Sequence, residues 1–166
     1  MLRRLIAALA LVVVGASAGL ALHLATAKGD TMFAGQRPNY LGVKDGRLPR
    51  PRSTPNCVSS QADPADKMHY IEPIRFKGTA QAAIAAARKA VEGLPRTTVI
   101  RDEGNYLYAE FKSRLMGFVD DVEFTYDEKA GVLHVRSASR LGRRDYGVNR
   151  ARVEQLRSRI ERGGAA

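Results

Sequence analysis

The densest group of side chains that could do chemistry lies in one stretch, residues 136–150. It combines guanidinium groups and hydroxyls, and Gly142 and Gly147 would bound a loop that leads to Asn149 at the start of a helix. Arginine forks, hydroxyls and a helix N-terminus are the parts from which proteins build anion sites. We therefore predict a ligand site in this part of the chain. Its candidate residues are Arg114, Arg136, Ser137, Ser139, Arg140, Asp145, Asn149 and Arg150.

The same arginines have a simpler interpretation as members of ion pairs. On a strand, Arg136 and Arg140 point to one face, whereas the serines between them point to the other. Arg136 could pair with Glu123 across a hairpin. Arg140 and Arg150 could pair with nearby aspartates. The aspartates in question are Asp120, Asp121 and Asp145.

Three residues are weaker candidates for catalysis: Cys57, Asp120 and Asp121. A thiol with His69 or His134 could form a nucleophilic set, but Cys57 has no nucleophile signature around it and is better explained as a small buried side chain. Adjacent carboxylates on a strand point to opposite faces, so Asp120 and Asp121 cannot converge without a bulge. A thiol-dependent enzyme is thus an alternative hypothesis, and the sequence favours a protein that is not an enzyme.

The sequence predicts no metal, cofactor or nucleic-acid site. Three histidines and one cysteine are too few for zinc ligands at suitable spacing, and no phosphate-loop or dinucleotide fingerprint is present. The net charge is +10, and the cations concentrate in residues 28–55 and 129–166. Without a groove-reading motif, this charge favours an anionic lipid surface or an acidic protein partner.

The elements that must position these residues follow from periodicity. Thr79 can cap a helix that Gly93 and Pro95 end, and a second helix would begin at about Asn149 as its cap. Alternating side chains predict strands, and one hairpin has a well-specified register in which Phe124 faces Val135 and Glu123 faces Arg136. The other predicted strands are 69–76, 97–101 and 105–113.

This order, β-α-β-β-β-β-α, predicts an α+β two-layer sandwich. An antiparallel sheet of about five strands would carry both helices on one face. Its other face would be polar enough to meet water or a ligand. The residues expected on that other face are Tyr106, Tyr108, Glu110, Glu123, Thr125, His134 and Arg136.

The N-terminal residues predict export. Arg3 and Arg4 precede an uncharged stretch from Leu5 to Leu22. Residues 1–27 are therefore either a cleaved signal peptide, with a small-residue cleavage site at 25–27, or an uncleaved anchor formed by residues 5–25. Residues 28–55, basic and rich in proline and glycine, are interpreted as a tether that rests on anionic headgroups or is simply solvated. The folded domain would occupy residues 56–163.

Three motifs resemble a known family. They are residues 56–60 (Asn-Cys-Val-Ser-Ser), residues 113–124, and residues 136–140 followed by Gly142, Asp145, Gly147, Asn149 and Arg150. On these residues the chain resembles the bacterial and plastid domain-of-unknown-function family fourteen-ninety-nine, over about residues 55–162. The resemblance implies an export or membrane segment before the domain and no established activity. The leading hypothesis is thus a periplasmic, membrane-proximal binding or accessory domain, with a structural subunit of an envelope complex as another alternative.

Overall fold

Eight regular elements form in residues 33–163, the part of the chain that this computed structural model describes. They build an α+β two-layer sandwich, which confirms the predicted fold class. The sheet has six strands because a short first strand, β1, joins the predicted ones. The elements are β1 (Cys57–Ser59), β2 (Ile74–Arg75), α1 (Ala80–Glu92), β3 (Thr97–Glu103), β4 (Tyr106–Lys112), β5 (Val119–Asp127), β6 (Val132–Ser139) and α2 (Val148–Gly163).

The sheet is antiparallel throughout, in the order β1-β6-β5-β4-β3. The short strand β2 pairs with the other half of β6. The predicted hairpin register is confirmed: Phe124 lies opposite Val135, and Glu123 lies opposite Arg136. A one-residue slip would move apolar side chains of β5 and β6 to the wrong face, and this penalty fixes the pairing. Strand β3 forms one edge of the sheet, and its pairing with β4 is interrupted by a bulge between Val99 and Arg101.

Both helices pack on one face of the sheet and form the main hydrophobic core. Thr79 caps α1 as predicted, because its side chain accepts a hydrogen bond from the N–H of Ala82. Each fully buried aliphatic side chain stabilises the fold by about 2 kcal/mol relative to exposure. The fully buried members of this core include Ile74, Val91, Leu107, Val122, Phe124, Leu133, Val135, Val153 and Leu156.

The start of α2 differs from the prediction that Asn149 caps the helix. The helix begins at Val148, and the Asp145 carboxylate accepts hydrogen bonds from the N–H groups of Gly147 and Asn149. The side chain of Asn149 is fully buried instead. It joins the helix to β6, and Asp145 in its place accepts from an N–H group of the first turn, that of Asn149.

Residues 33–55, which we call the strap, lie across the second face of the sheet, the face away from the helices. Leu48 is buried there against Tyr106 and Tyr108, and Leu41 packs beside it. The backbone N–H of Gly42 donates to Glu123. The sequence predicted a tether at residues 28–55 and a second face polar enough to meet water or a ligand. In the structure the strap covers much of this face. Six of the seven residues expected there are less than a fifth exposed: Tyr106, Tyr108, Glu110, Glu123, Thr125 and Arg136.

The predicted export segment, residues 1–27, lies outside the described residues. Between residues 33 and 163, neither helix is long and apolar enough to cross a membrane.

Candidate functional site

A buried ion pair occupies the centre of the second face. Arg136 Nη1 donates to Glu123 Oε2 at 2.9 Å, and each side chain is at most 2% exposed. The other carboxylate oxygen, Oε1, accepts from the hydroxyl of Tyr106 at 2.8 Å and from the N–H of Gly42 at 2.8 Å. Burial raises the pKa of the Glu123 carboxyl, and the guanidinium of Arg136 opposes that rise. The strap and the sheet thus share one hydrogen-bonded charge centre.

A second charge cluster lies next to it, around Arg140. Arg140 Nε donates to Asp121 Oδ1 at 3.0 Å, and Nη2 donates to Glu110 and to the hydroxyl of Tyr108. Arg37 of the strap donates to the same Glu110 carboxylate at 2.7 Å. Desolvation acts to raise the pKa of Glu110, but the hydrogen bonds from Arg37 and Arg140 outweigh it, so this pKa lies below its usual value. Arg140 is therefore committed to internal partners.

The serines of β6 face the helices, away from these arginines. Ser137 Oγ donates to Asn149 Oδ1, and Asn149 Nδ2 donates to Ser139 Oγ and to the carbonyl of Asn56. Arg152, which the sequence did not single out, donates to Asp120 at 2.5 Å and to Asn149 at 2.6 Å. These hydrogen bonds join α2 to β6.

The predicted ligand residues therefore lie in separate places. Arg136 and Arg140 are on the second face, and Ser137, Ser139 and Asn149 are on the helix face. Arg150 donates to the backbone carbonyls of residues 67, 68 and 70, and Asp145 caps α2. Arg114 is exposed on the β4–β5 loop. The ion-pair interpretation of Arg136 and Arg140 is the one that the geometry supports.

The weaker catalytic candidates are also dispersed. Cys57 is buried, and this burial raises the pKa of its thiol to about 11. Within residues 33–163 its two possible histidine partners bind elsewhere: His69 to Asp66 and His134 to Ser60, at 2.6 Å and 3.1 Å. Asp120 and Asp121 point to opposite faces, as the strand geometry predicts. No group of three or more potential metal ligands occurs among the described residues.

The two most exposed large apolar side chains among residues 33–163, those of Leu115 and Tyr146, lie at one end of the sheet, which we call the loop end. It comprises the β4–β5 loop, residues 113–118, and the β6–α2 loop, residues 140–147. The two loops meet because Arg140 N–H donates to the carbonyl of Val119. Leu115 is 90% exposed and Tyr146 is 93% exposed. The other exposed side chains of the loop end are Arg114, Met116, Phe118, Leu141, Arg143 and Arg144.

The strap begins at this same end. The rings of Phe33 and Phe118 lie 5.3 Å apart between centroids. Gly35, at φ +67°, approaches so closely that a Cβ there would meet Arg140 Cβ and Leu141 Cγ at 3.0 Å. Sequence reasoning missed the apolar side chains of the loop end. The signal that could have revealed them is the run Leu115-Met116 in a segment that no strand or helix pattern includes.

These features define a small α+β domain with an ion-paired second face under a strap and an apolar, arginine-bearing loop end. The chain belongs to the family described as proteins of unknown function (DUF1499), whose model matches residues 47–160. The match confirms the resemblance found in the sequence motifs. No curated protein matches the chain.

Proposed function

We propose that this protein is an exported, membrane-proximal binding domain whose loop end rests on anionic lipid headgroups. The observation that carries the proposal is the loop end itself. Exposed aliphatic and aromatic side chains alternate there with arginines, beside the residue at which the strap begins. Surfaces of this composition suit the boundary between lipid headgroups and acyl chains.

Both the arginines and the apolar side chains of the loop end favour contact with an anionic bilayer. A cation near an anionic bilayer contributes about 1 kcal/mol, and the loop end carries Arg114, Arg143 and Arg144. Each apolar CH₂ transferred from water contributes about 0.8 kcal/mol. Leu115 and Tyr146 are almost fully exposed, so they could enter the boundary without any rearrangement of the core.

The chain length between the predicted membrane segment and the strap supports the same orientation. If residues 5–25 span the bilayer, only the seven residues 26–32 connect them to Phe33. Seven extended residues reach at most about 25 Å. The loop end, which contacts Phe33, would then lie at the membrane surface.

Vesicle cosedimentation tests the proposal. The chain from Lys28 onward, which contains every contact described above, is mixed with phosphatidylglycerol or phosphatidylcholine vesicles. We expect binding to the anionic vesicles, and a loss of about tenfold in affinity for Leu115→Asp combined with Arg143→Glu, since both apolar and charge contacts are removed.

The matched control is Met68→Asp combined with Arg75→Glu. These residues are exposed like the loop-end pair but lie away from the two loops. Equal losses for the two double variants, or no binding to anionic vesicles, would contradict the proposal. Undiminished vesicle binding by the loop-end variant would also contradict it, whereas no vesicle binding by the unaltered chain would favour the structural-subunit alternative. The thiol-enzyme alternative gains no support, because Cys57 is buried.

A further inference from the structure

A cavity of about 400 Å³ lies between the strap and the end of β6. Its volume is within the roughly 300–1,000 Å³ of small-ligand sites. The strap contributes long polar side chains to its wall, and the sheet contributes Ala138 and the ion pair of Asp121 with Arg140. The strap side chains on the wall are Gln36, Arg37, Asn39, Tyr40 and Arg52.

Several donors on this wall are uncommitted. Among the described residues, Gln36, Asn39 and Arg52 have no hydrogen-bond partner and no ion pair. The guanidinium of Arg52 lies over the ring of Tyr40, with Cζ at 5.3 Å from its centroid. Arg37 uses only Nε for its hydrogen bond to Glu110. The cavity wall therefore presents amide and guanidinium donors that no protein group satisfies.

The charge around the cavity is also unbalanced. Four guanidiniums and three carboxylates belong to the two charge clusters and the cavity wall, which leaves one positive charge in excess. They are Arg37, Arg52, Arg136 and Arg140, with Glu110, Asp121 and Glu123.

The buried Arg136–Glu123 pair also contains one donor without a hydrogen bond. Arg136 Nε is buried and has no hydrogen-bond partner. The guanidinium of Arg136 lies 5.8 Å from the ring of Tyr40, the ring that Arg52 also contacts. Two guanidiniums, those of Arg52 and Arg136, thus lie against one residue of the cavity wall, Tyr40.

We propose that this cavity binds a phosphate group. Arg52 and the free Nη atoms of Arg37 would hold the anion, since guanidinium forks match phosphate oxygens. The amides of Gln36 and Asn39 would donate to its remaining oxygens. The volume exceeds that of a phosphate ion, so a glycerol-sized substituent also fits. The site is separate from the lipid contact of the loop end and does not depend on it.

Calorimetric titration of the full chain in a nonionic detergent tests this site. The probes are inorganic phosphate and glycerol 3-phosphate, with chloride at matched ionic strength as the reference. We expect saturable binding at one site. Arg52→Gln should weaken it about tenfold, because one charge-assisted interaction is lost. Arg75→Gln, the same change on an exposed arginine of β2, should leave it unaltered.

A second variant, Asn39→Ala, removes a donor from an exposed position without changing the charge, and should also weaken binding. Arg52→Gln tested on phosphatidylglycerol vesicles separates the two sources of phosphate. Weaker vesicle binding identifies a lipid headgroup, and unchanged vesicle binding with weaker phosphate binding identifies a soluble phosphate. Absence of saturable binding, or equal effects of Arg52→Gln and Arg75→Gln, overturns the proposal.

Discussion

Arg136 and Glu123 lie directly opposite each other on β6 and β5, and their side chains form an ion pair that solvent does not reach. The strap completes this pair, since Gly42 supplies a backbone N–H to Glu123. A charge placed at such depth is tolerated only when partners surround it. The pair therefore links residues 33–55 to the stability of the whole sheet.

Removing one member of the pair should be far more damaging than removing both. We expect Arg136→Met to lower the free energy of unfolding by about 3–5 kcal/mol, because it leaves the Glu123 carboxylate buried without its cation. The double variant Arg136→Met with Glu123→Leu should recover most of that loss. Urea unfolding of the three proteins measures both values. A double variant that is no more stable than Arg136→Met would contradict the coupling of the two side chains.

The strap should unfold together with the sheet. Leu48→Ala should cost about 2–3 kcal/mol in the free energy of unfolding, because Leu48 is buried against Tyr106 and Tyr108. Val43→Ala is the matched control, since Val43 is 41% exposed on the same segment and should cost little. Urea unfolding followed by circular dichroism gives both numbers. Near-zero costs for both variants would mean that the strap detaches before the sheet unfolds.

Cys57 should be almost unreactive in the folded protein. Burial raises the pKa of its thiol from 9.0 to about 11, so the thiolate population near neutral pH should fall roughly a hundredfold. Alkylation by iodoacetamide should therefore be slow in buffer and fast in urea. The chain has a single cysteine, so mass spectrometry reports this site alone. Equal rates in the two conditions would contradict the buried position.

The protein should lose stability as the pH falls through the titration range of histidine. Burial, with a smaller contribution from Arg47, lowers the pKa of His134 below its usual 6.5. Below that value the unfolded chain binds a proton that the folded chain does not, so the unfolded state is favoured. Urea unfolding between about pH 7.5 and about pH 5.5 should show this loss, and His134→Gln should reduce it. A larger loss of stability with falling pH in His134→Gln than in the unaltered protein would contradict the assignment of this loss to His134.

Local patterns predicted the elements whose own residues determine them. The β5–β6 hairpin follows from alternation, since only one register places Phe124 and Val135 on the same face. Helix α1 follows from its spacing and from Thr79. The hairpin register also predicted the Arg136–Glu123 pair, which the sequence offered as the alternative to an anion site at Arg136.

Features that depend on distant contacts were not predictable. The strap has no periodicity, and its place on the sheet depends on contacts with residues far along the chain, such as those of Leu48 with Tyr106 and of Gly42 with Glu123. Strand β1 is three residues long, and its strand partner is β6, which lies far along the chain. Asn149 has the residue type of a helix cap, but its amide is needed by Ser137 and Ser139, which lie ten or more residues away.

The β3 edge of the sheet has a consequence for how copies of this protein behave near one another. Strand β3 ends in Arg101, Asp102 and Glu103, and its bulge interrupts the regular row of backbone groups. Charged side chains and bulges on an edge strand hinder its pairing with the edge of another molecule. Copies of this protein are therefore hindered from joining their sheets through β3.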